Sequence, residues 1–170
     1  MKLYGMEHVG FTVPDLEQAV QFFEDVLGAV TAMETGPVVV DNAFMARRLG
    51  VPEQCRIDNI KVLRCGNGPN LELFEYSGEA QGGPLKRNSE VGGFHLGFQV
   101  DDAVAAADRL REKGVDVLEG PTFIDAGPMR GLTWIYLRTP WGQFLELVSR
   151  SGSLGYEQDG GPTLWVPLPA

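Results

Sequence analysis

Cysteine and histidine are scarce in this 170-residue chain, two of each, and no apolar run approaches the length of a membrane-crossing helix. Cys55 and Cys65 carry no metal-like spacing, which excludes a disulfide scaffold or a zinc–thiolate site. A bridge between the two stays open, and reduced thiols in a cytoplasmic protein are the simpler reading. Positive charge is also short: 14 Lys and Arg stand against 23 Asp and Glu, a net charge of −9. Such a surface repels phosphate backbones, so no nucleic-acid partner is expected. The start, Met1-Lys2-Leu3-Tyr4-Gly5, lacks the apolar core of a secretion signal, so a cytoplasmic location without membrane attachment is expected. With 44% hydrophobic and 22% charged residues, the composition is that of a globular protein. The length suits one domain or two fused half-domains.

What the sequence does contain is a duplication. His8-Val9-Gly10-Phe11-Thr12-Val13-Pro14-Asp15 returns without a gap as His95-Leu96-Gly97-Phe98-Gln99-Val100-Asp101-Asp102. Each copy alternates as a strand does. Val9, Phe11 and Val13 point one way, and His8, Gly10 and Thr12 the other. Each strand runs into an amphipathic helix. Asp15 is placed to cap Leu16, Ala19, Val20, Phe23, Val26 and Leu27, with Gly28 as the stop. Asp102 does the same for Val104, Ala106, Ala107 and Leu110, ending at Gly114. The apolar strand face therefore has a helix to cover it, and the histidine face looks elsewhere.

Later in each half a Leu-Glu-Leu strand recurs, Leu71-Glu72-Leu73 and Leu145-Glu146-Leu147. Alternation turns both glutamates away from the helix, onto the histidine face. Glu75 is a competitor for Glu72, but its position puts it on the helix side as a strand-end carboxylate. Further strands are expected at residues 29–33, 58–64, 115–119 and 132–137. Each half thus reads strand, helix and three strands, an α+β protein of two tandem βαβββ modules. The first module spans residues 1–78 with an insertion at 38–53 and a short helical pattern at 42–49. A linker at 79–93 leads to the second module at 94–150. The Gly- and Pro-rich tail, 151–170, is assigned no secondary structure.

Two half-sheets that each expose one imidazole and one carboxylate can curl together around a single cation. His8, Glu72, His95 and Glu146 are the candidate ligands, and the two histidines are the only ones in the chain. Two inward carboxylates repel unless a cation lies between them, and unpartnered buried histidines are costly. Nitrogen and oxygen donors of this kind suit Mn, Fe, Co, Ni or Zn.

These residues give the chain a resemblance to the vicinal oxygen chelate superfamily, also called the glyoxalase, bleomycin-resistance and extradiol-dioxygenase fold. The resemblance covers about residues 5–149. It implies paired βαβββ modules whose mixed sheets form a curved, metal-holding cup, often in a homodimer. The four metal positions fall on His8, Glu72, His95 and Glu146. Thr139-Pro140-Trp141-Gly142 departs from the Asp-Pro-Asp-Gly turn of many relatives. The insertion and the Glu-Leu-Phe-Glu-Tyr ending also resemble a branch that includes epimerases of valiolone-type keto-cyclitols (2-epi-5-epi-valiolone).

The superfamily hosts several chemistries. The resemblance points first to a metal-dependent isomerase or epimerase, with Glu72 and Glu146 as its acid–base pair acting α to the carbonyl of a chelated hydroxy-ketone. A glyoxalase I-like lyase would use the same pair. An Fe(II) extradiol dioxygenase would need only His8, His95 and Glu146, and a ligand-sequestering protein would need no metal at all. Methylmalonyl-CoA epimerase shares the mechanism, but an acidic chain suits CoA phosphates poorly. Candidate substrate contacts are Phe44 and Arg47 in the insertion, Arg130 in its Gly-rich loop, and Tyr136. For Arg47, its neighbour Arg48 and Arg130 a solvated surface role stands equally open, and for Tyr136, as for Trp134 and Trp141, a packing role.

Overall fold

The computed structural model describes the chain apart from residues 81, 82, 84 and 168–170 and the side chain of residue 159. Parts of the expected linker and tail therefore lie outside the described residues. The chain divides into two compact units, one built on Met1–Gly83 and one ending at Val166.

In the first unit the alternating segment forms β1 (His8–Thr12) and Asp15 caps α1 (Leu16–Leu27), its carboxylate accepting from the Gln18 N–H at 2.9 Å. Gly28 ends the helix in the left-handed conformation, φ 65°, which costs a residue without Cβ nothing. β2 (Val30–Glu34), β3 (Arg56–Arg64) and β4 (Asn70–Ser77) complete a sheet of order β1-β4-β3-β2. β1 lies parallel to β4, and the other neighbours are antiparallel. α1 covers β3 and β4, burying Leu16, Phe23, Leu63 and Leu73 almost completely. Truncating such a leucine to alanine costs about 2–5 kcal/mol.

The insertion carries α2 (Asn42–Phe44), capped by Asp41 and continuing as a π-helical turn over Met45–Leu49. It is anchored, since Met45 is buried in a cluster with Cys55, Ile57 and Ile60. Phe74 and Tyr76 pack against that cluster. They share a strand face with Glu72, so the insertion covers one end of that face.

The second unit repeats the plan with β5 (His95–Gln99), α3 (Ala103–Glu112), β6 (Asp116–Val117), β7 (Thr122–Phe123), β8 (Leu132–Arg138) and β9 (Phe144–Arg150). The order is β5-β9-β8-β6, β5 again being parallel to its neighbour β9, and β7 also pairs with β8. The strand expected at 115–119 is the short β6, and β7, a second short piece along β8, lies beyond that expectation. Pro121 stands between them and has no N–H for the ladder. On α3 the buried face is Ala103, Ala106, Ala107 and Leu110, while Val104 is half exposed. A helical repeat of 3.6 residues carries position 104 off the stripe that 103, 107 and 110 share.

Part of the tail is ordered against this unit. Gly155–Asp159 form a 3₁₀ turn, Leu154 is buried, and Arg150 pairs with Glu157 at 2.9 Å. The Gly155 and Tyr156 N–H groups donate to the carbonyls of Arg130 and Pro128 at 3.1 and 2.9 Å. A Cβ on Gly155 would fall 2.2 Å from the Gly127 carbonyl, so only glycine permits this approach.

Candidate metal-binding site

Strand register brings the histidine and glutamate of each unit together. In the β1–β4 pairing His8 stands opposite Asn70 and Gly10 opposite Glu72. In the β5–β9 pairing His95 stands opposite Phe144 and Gly97 opposite Glu146. The glycine two residues after each histidine leaves space above the sheet, and both flanking side chains lean into it. His8 Nε2 lies 3.3 Å from Glu72 Oε2, and His95 Nε2 lies 3.1 Å from Glu146 Oε2. The pairs are accessible from outside, with exposures of 47% and 25% for the first and 35% and 19% for the second. Among the described residues no three His, Cys, Asp or Glu side chains gather into one metal-holding group. The geometry is two repeat-related pairs, one in each unit.

The donor set fits a cation. Two ligands about 2.1 Å from one ion and at right angles stand about 3 Å apart, and both observed N···O separations match neighbouring positions in such a shell. Each pair presents one nitrogen and one oxygen donor, the set suited to first-row divalent ions.

The surroundings of the pairs differ. His8 Nδ1 donates to Glu7 Oε2. Glu7 is held in turn by Asn70, whose side-chain amide donates to Glu7 Oε1 at 3.1 Å. The Glu7 hydrogen bond raises the His8 pKa, burial opposes the rise, and the charges of Glu72 and Glu7 reinforce it. The Glu7 carboxyl is lowered, first of all by the same hydrogen bond. In the second unit the Tyr136 and His95 rings make a T-shaped contact, with centroids 5.1 Å apart. Burial and then the charge of Glu146 push the Tyr136 hydroxyl upward.

Glu75 lies on the helix side, where its carboxylate accepts from the Leu16 N–H at 3.2 Å. The matching contact in the second unit is Ala103 N–H to Ser149 Oγ, 3.1 Å. Both positions close the first turn of a helix. Of the four candidate substrate contacts, the structure places Tyr136 beside an imidazole–carboxylate pair, opposite Glu146 in register. Phe44 and Arg47 are exposed on the insertion, and Arg130 is exposed in a loop whose main chain the tail holds. Glu7 and Asn70 escaped the sequence reading because their repeat equivalents are Phe94 and Phe144. The space left by Gly10 and Gly97 did have a signal, the glycine shared by both copies.

The turn before β9 closes without an aspartate. Thr139 is buried, and its hydroxyl accepts from the Gln143 N–H at 2.9 Å.

Duplicated sheet units of this topology, each with a paired histidine and glutamate, define a class that comparison with known proteins identifies. Residues 7–131 match the Glyoxalase/Bleomycin resistance protein/Dioxygenase superfamily, and the chain belongs to that family. It is 44% identical to a 2-epi-5-epi-valiolone epimerase from Actinomyces sp. over 96% of this chain and 88% of that protein. It is 33% identical to an ethylmalonyl-CoA/methylmalonyl-CoA epimerase from Cereibacter sphaeroides over 66% of this chain and 73% of that one. Among solved structures, a glyoxalase family protein from Bacillus cereus superposes with a TM-score of 0.70 at 19% identity, covering 89% of this chain and 97% of its own. That likeness is one of fold.

Proposed function

We propose that this chain is an epimerase that inverts a carbon next to a carbonyl, with one divalent cation held by His8, Glu72, His95 and Glu146. The observation that carries the reading is the same Nε2–Oε2 pairing built twice, at 3.3 and 3.1 Å, on repeat-related strands. Two relatives that bear the name epimerase support the reaction class. A cation bound by these residues supplies Lewis-acid stabilisation for the negative charge that develops on two neighbouring substrate oxygens.

The protein's own groups move the proton. One of Glu72 and Glu146, ionised, takes the proton from the carbon. The other, protonated and therefore off the cation at that moment, delivers its proton to the opposite face of the same carbon. The pair ends with its proton exchanged between partners, so no net charge is gained, and solvent resets it.

For the substrate we propose a compact keto-cyclitol or related hydroxy-ketone. The support is the 44% identity to a protein named for 2-epi-5-epi-valiolone. A net charge of −9 favours such a neutral polyol over a CoA ester with its phosphates.

Incubating metal-loaded protein with keto-cyclitols in D₂O tests the reaction. Deuterium is expected at one carbon next to the carbonyl, together with the epimer. Absence of both would overturn the proposal. Glu72→Gln and Glu146→Gln should each stop inversion, while each still exchanges the proton of the epimer that the remaining carboxylate faces.

A further inference from the structure

The two imidazoles are supported differently, and the difference assigns a role to a residue outside the ligand set. The Glu7 carboxylate accepts from His8 Nδ1 with one oxygen, while its other oxygen accepts from the Asn70 amide at 3.1 Å. Asn70 also ties down the Glu7 main chain, its backbone N–H and side-chain amide donating to the Glu7 carbonyl at 3.1 and 3.2 Å. Asn70 is the register partner of His8 across the β1–β4 ladder, so the strand pairing that sets His8 beside Glu72 also sets Glu7 behind it. An ionised carboxylate only accepts hydrogen bonds. The proton of a neutral His8 ring therefore sits on Nδ1, and Nε2 is the lone-pair nitrogen directed toward Glu72.

We infer that Glu7 is a positioning residue for metal binding, fixing the tautomer and ring orientation of His8 so that the first unit is the stronger half of the cation site. This rests on the reading of His8 as a ligand. A carboxylate behind a ligating imidazole fixes the ring and raises its basicity as a donor. Among the described residues the second unit shows no carboxylate in that place, because Phe94 and Phe144 stand there with no acceptor in their side chains. His95 instead makes a T-shaped contact with the Tyr136 ring, in place of a carboxylate.

The experiment titrates full-length protein with Zn²⁺ or Mn²⁺ alone, against a competing chelator, for the unaltered chain and for Glu7→Ala, Glu7→Gln, Phe94→Ala and His8→Ala. Glu7→Ala should weaken binding about ten- to a hundredfold. Glu7→Gln, which keeps an acceptor without the charge, should recover part of that loss, and Phe94→Ala should change little. Nitrogen-15 NMR of histidine in the Zn²⁺-loaded protein supplies a readout that a structural role would not move. It should show an Nδ1–H shielded from exchange on His8, lost in Glu7→Ala while the melting temperature holds. Glu7→Ala binding metal within twofold of the unaltered chain, with His8→Ala binding none, overturns this inference alone. So does zinc bound through His8 Nδ1. Unchanged binding by His8→Ala overturns both the inference and the ligand assignment beneath it.

Discussion

At the scale of single residues, glycine decides whether the imidazole and carboxylate meet. A Cβ on Gly10 would lie 3.2 Å from Glu72 Oε2 and 3.4 Å from the Phe74 ring, whereas on Gly97 the nearest atom, Glu146 Oε2, is 3.9 Å away. Neither position needs a left-handed backbone, so a substitution acts through the space it fills. Gly10→Ala should displace the Glu72 carboxylate and weaken divalent-metal affinity severalfold, and Gly97→Ala should leave it near the original value. Calorimetric titration of both variants checks this, and equal effects would show that the room beside Glu72 is immaterial.

At the scale of elements, one strand face serves the helix and the other serves the site. Glu75 and Ser149 accept from the first-turn N–H groups of α1 and α3, groups that have no partner inside the helix. Glu72 and Glu146 turn the other way on the same strands. The two functions should separate under mutation. Glu75→Ala is expected to lower stability by about 1 kcal/mol through loss of a helix-end acceptor, with metal affinity unchanged. Glu72→Ala should do the reverse, abolishing tight metal binding with little loss in the metal-free melting temperature. Denaturation curves and metal titrations on the two variants give the comparison.

For the whole molecule, the expected outcome is linkage between metal and folding. A ligand that binds only the folded chain, at a free concentration a hundred times its Kd, stabilises by about 2.7 kcal/mol. In a chain of this size that corresponds to a rise in Tm of about 5–10 °C. The rise should vanish on chelation and in His8→Ala and His95→Ala alike, because the proposed site draws donors from both units. A full shift surviving in either variant would confine binding to one unit. Among the described residues no helix is long and apolar enough to cross a membrane, which agrees with the absence of a long apolar run in the sequence.

Local periodicity made much of this legible. Alternation with period two sets the face of each residue in a regular strand, because successive Cβ atoms must point to opposite sides. It therefore put His8, Glu72, His95 and Glu146 on the faces away from the helices and Glu75 on the other, while the helical patterns that follow marked Asp15 and Asp102 as caps. The duplication carried the fold class. What only tertiary structure decided are the contacts with no local period behind them. The parallel register of β1 on β4 brings Nε2 within 3.3 Å of Oε2 and aligns Asn70 with Glu7. The tail docks against the loop of Arg130 through main-chain hydrogen bonds, which no side-chain pattern announces. The break of the edge strand at Pro121 and the burial of Ala103 in place of Val104 depend on ladder pairing and helix phase. A residue's face follows from the geometry of its own backbone, whereas its partner is chosen by packing between segments far apart in the chain.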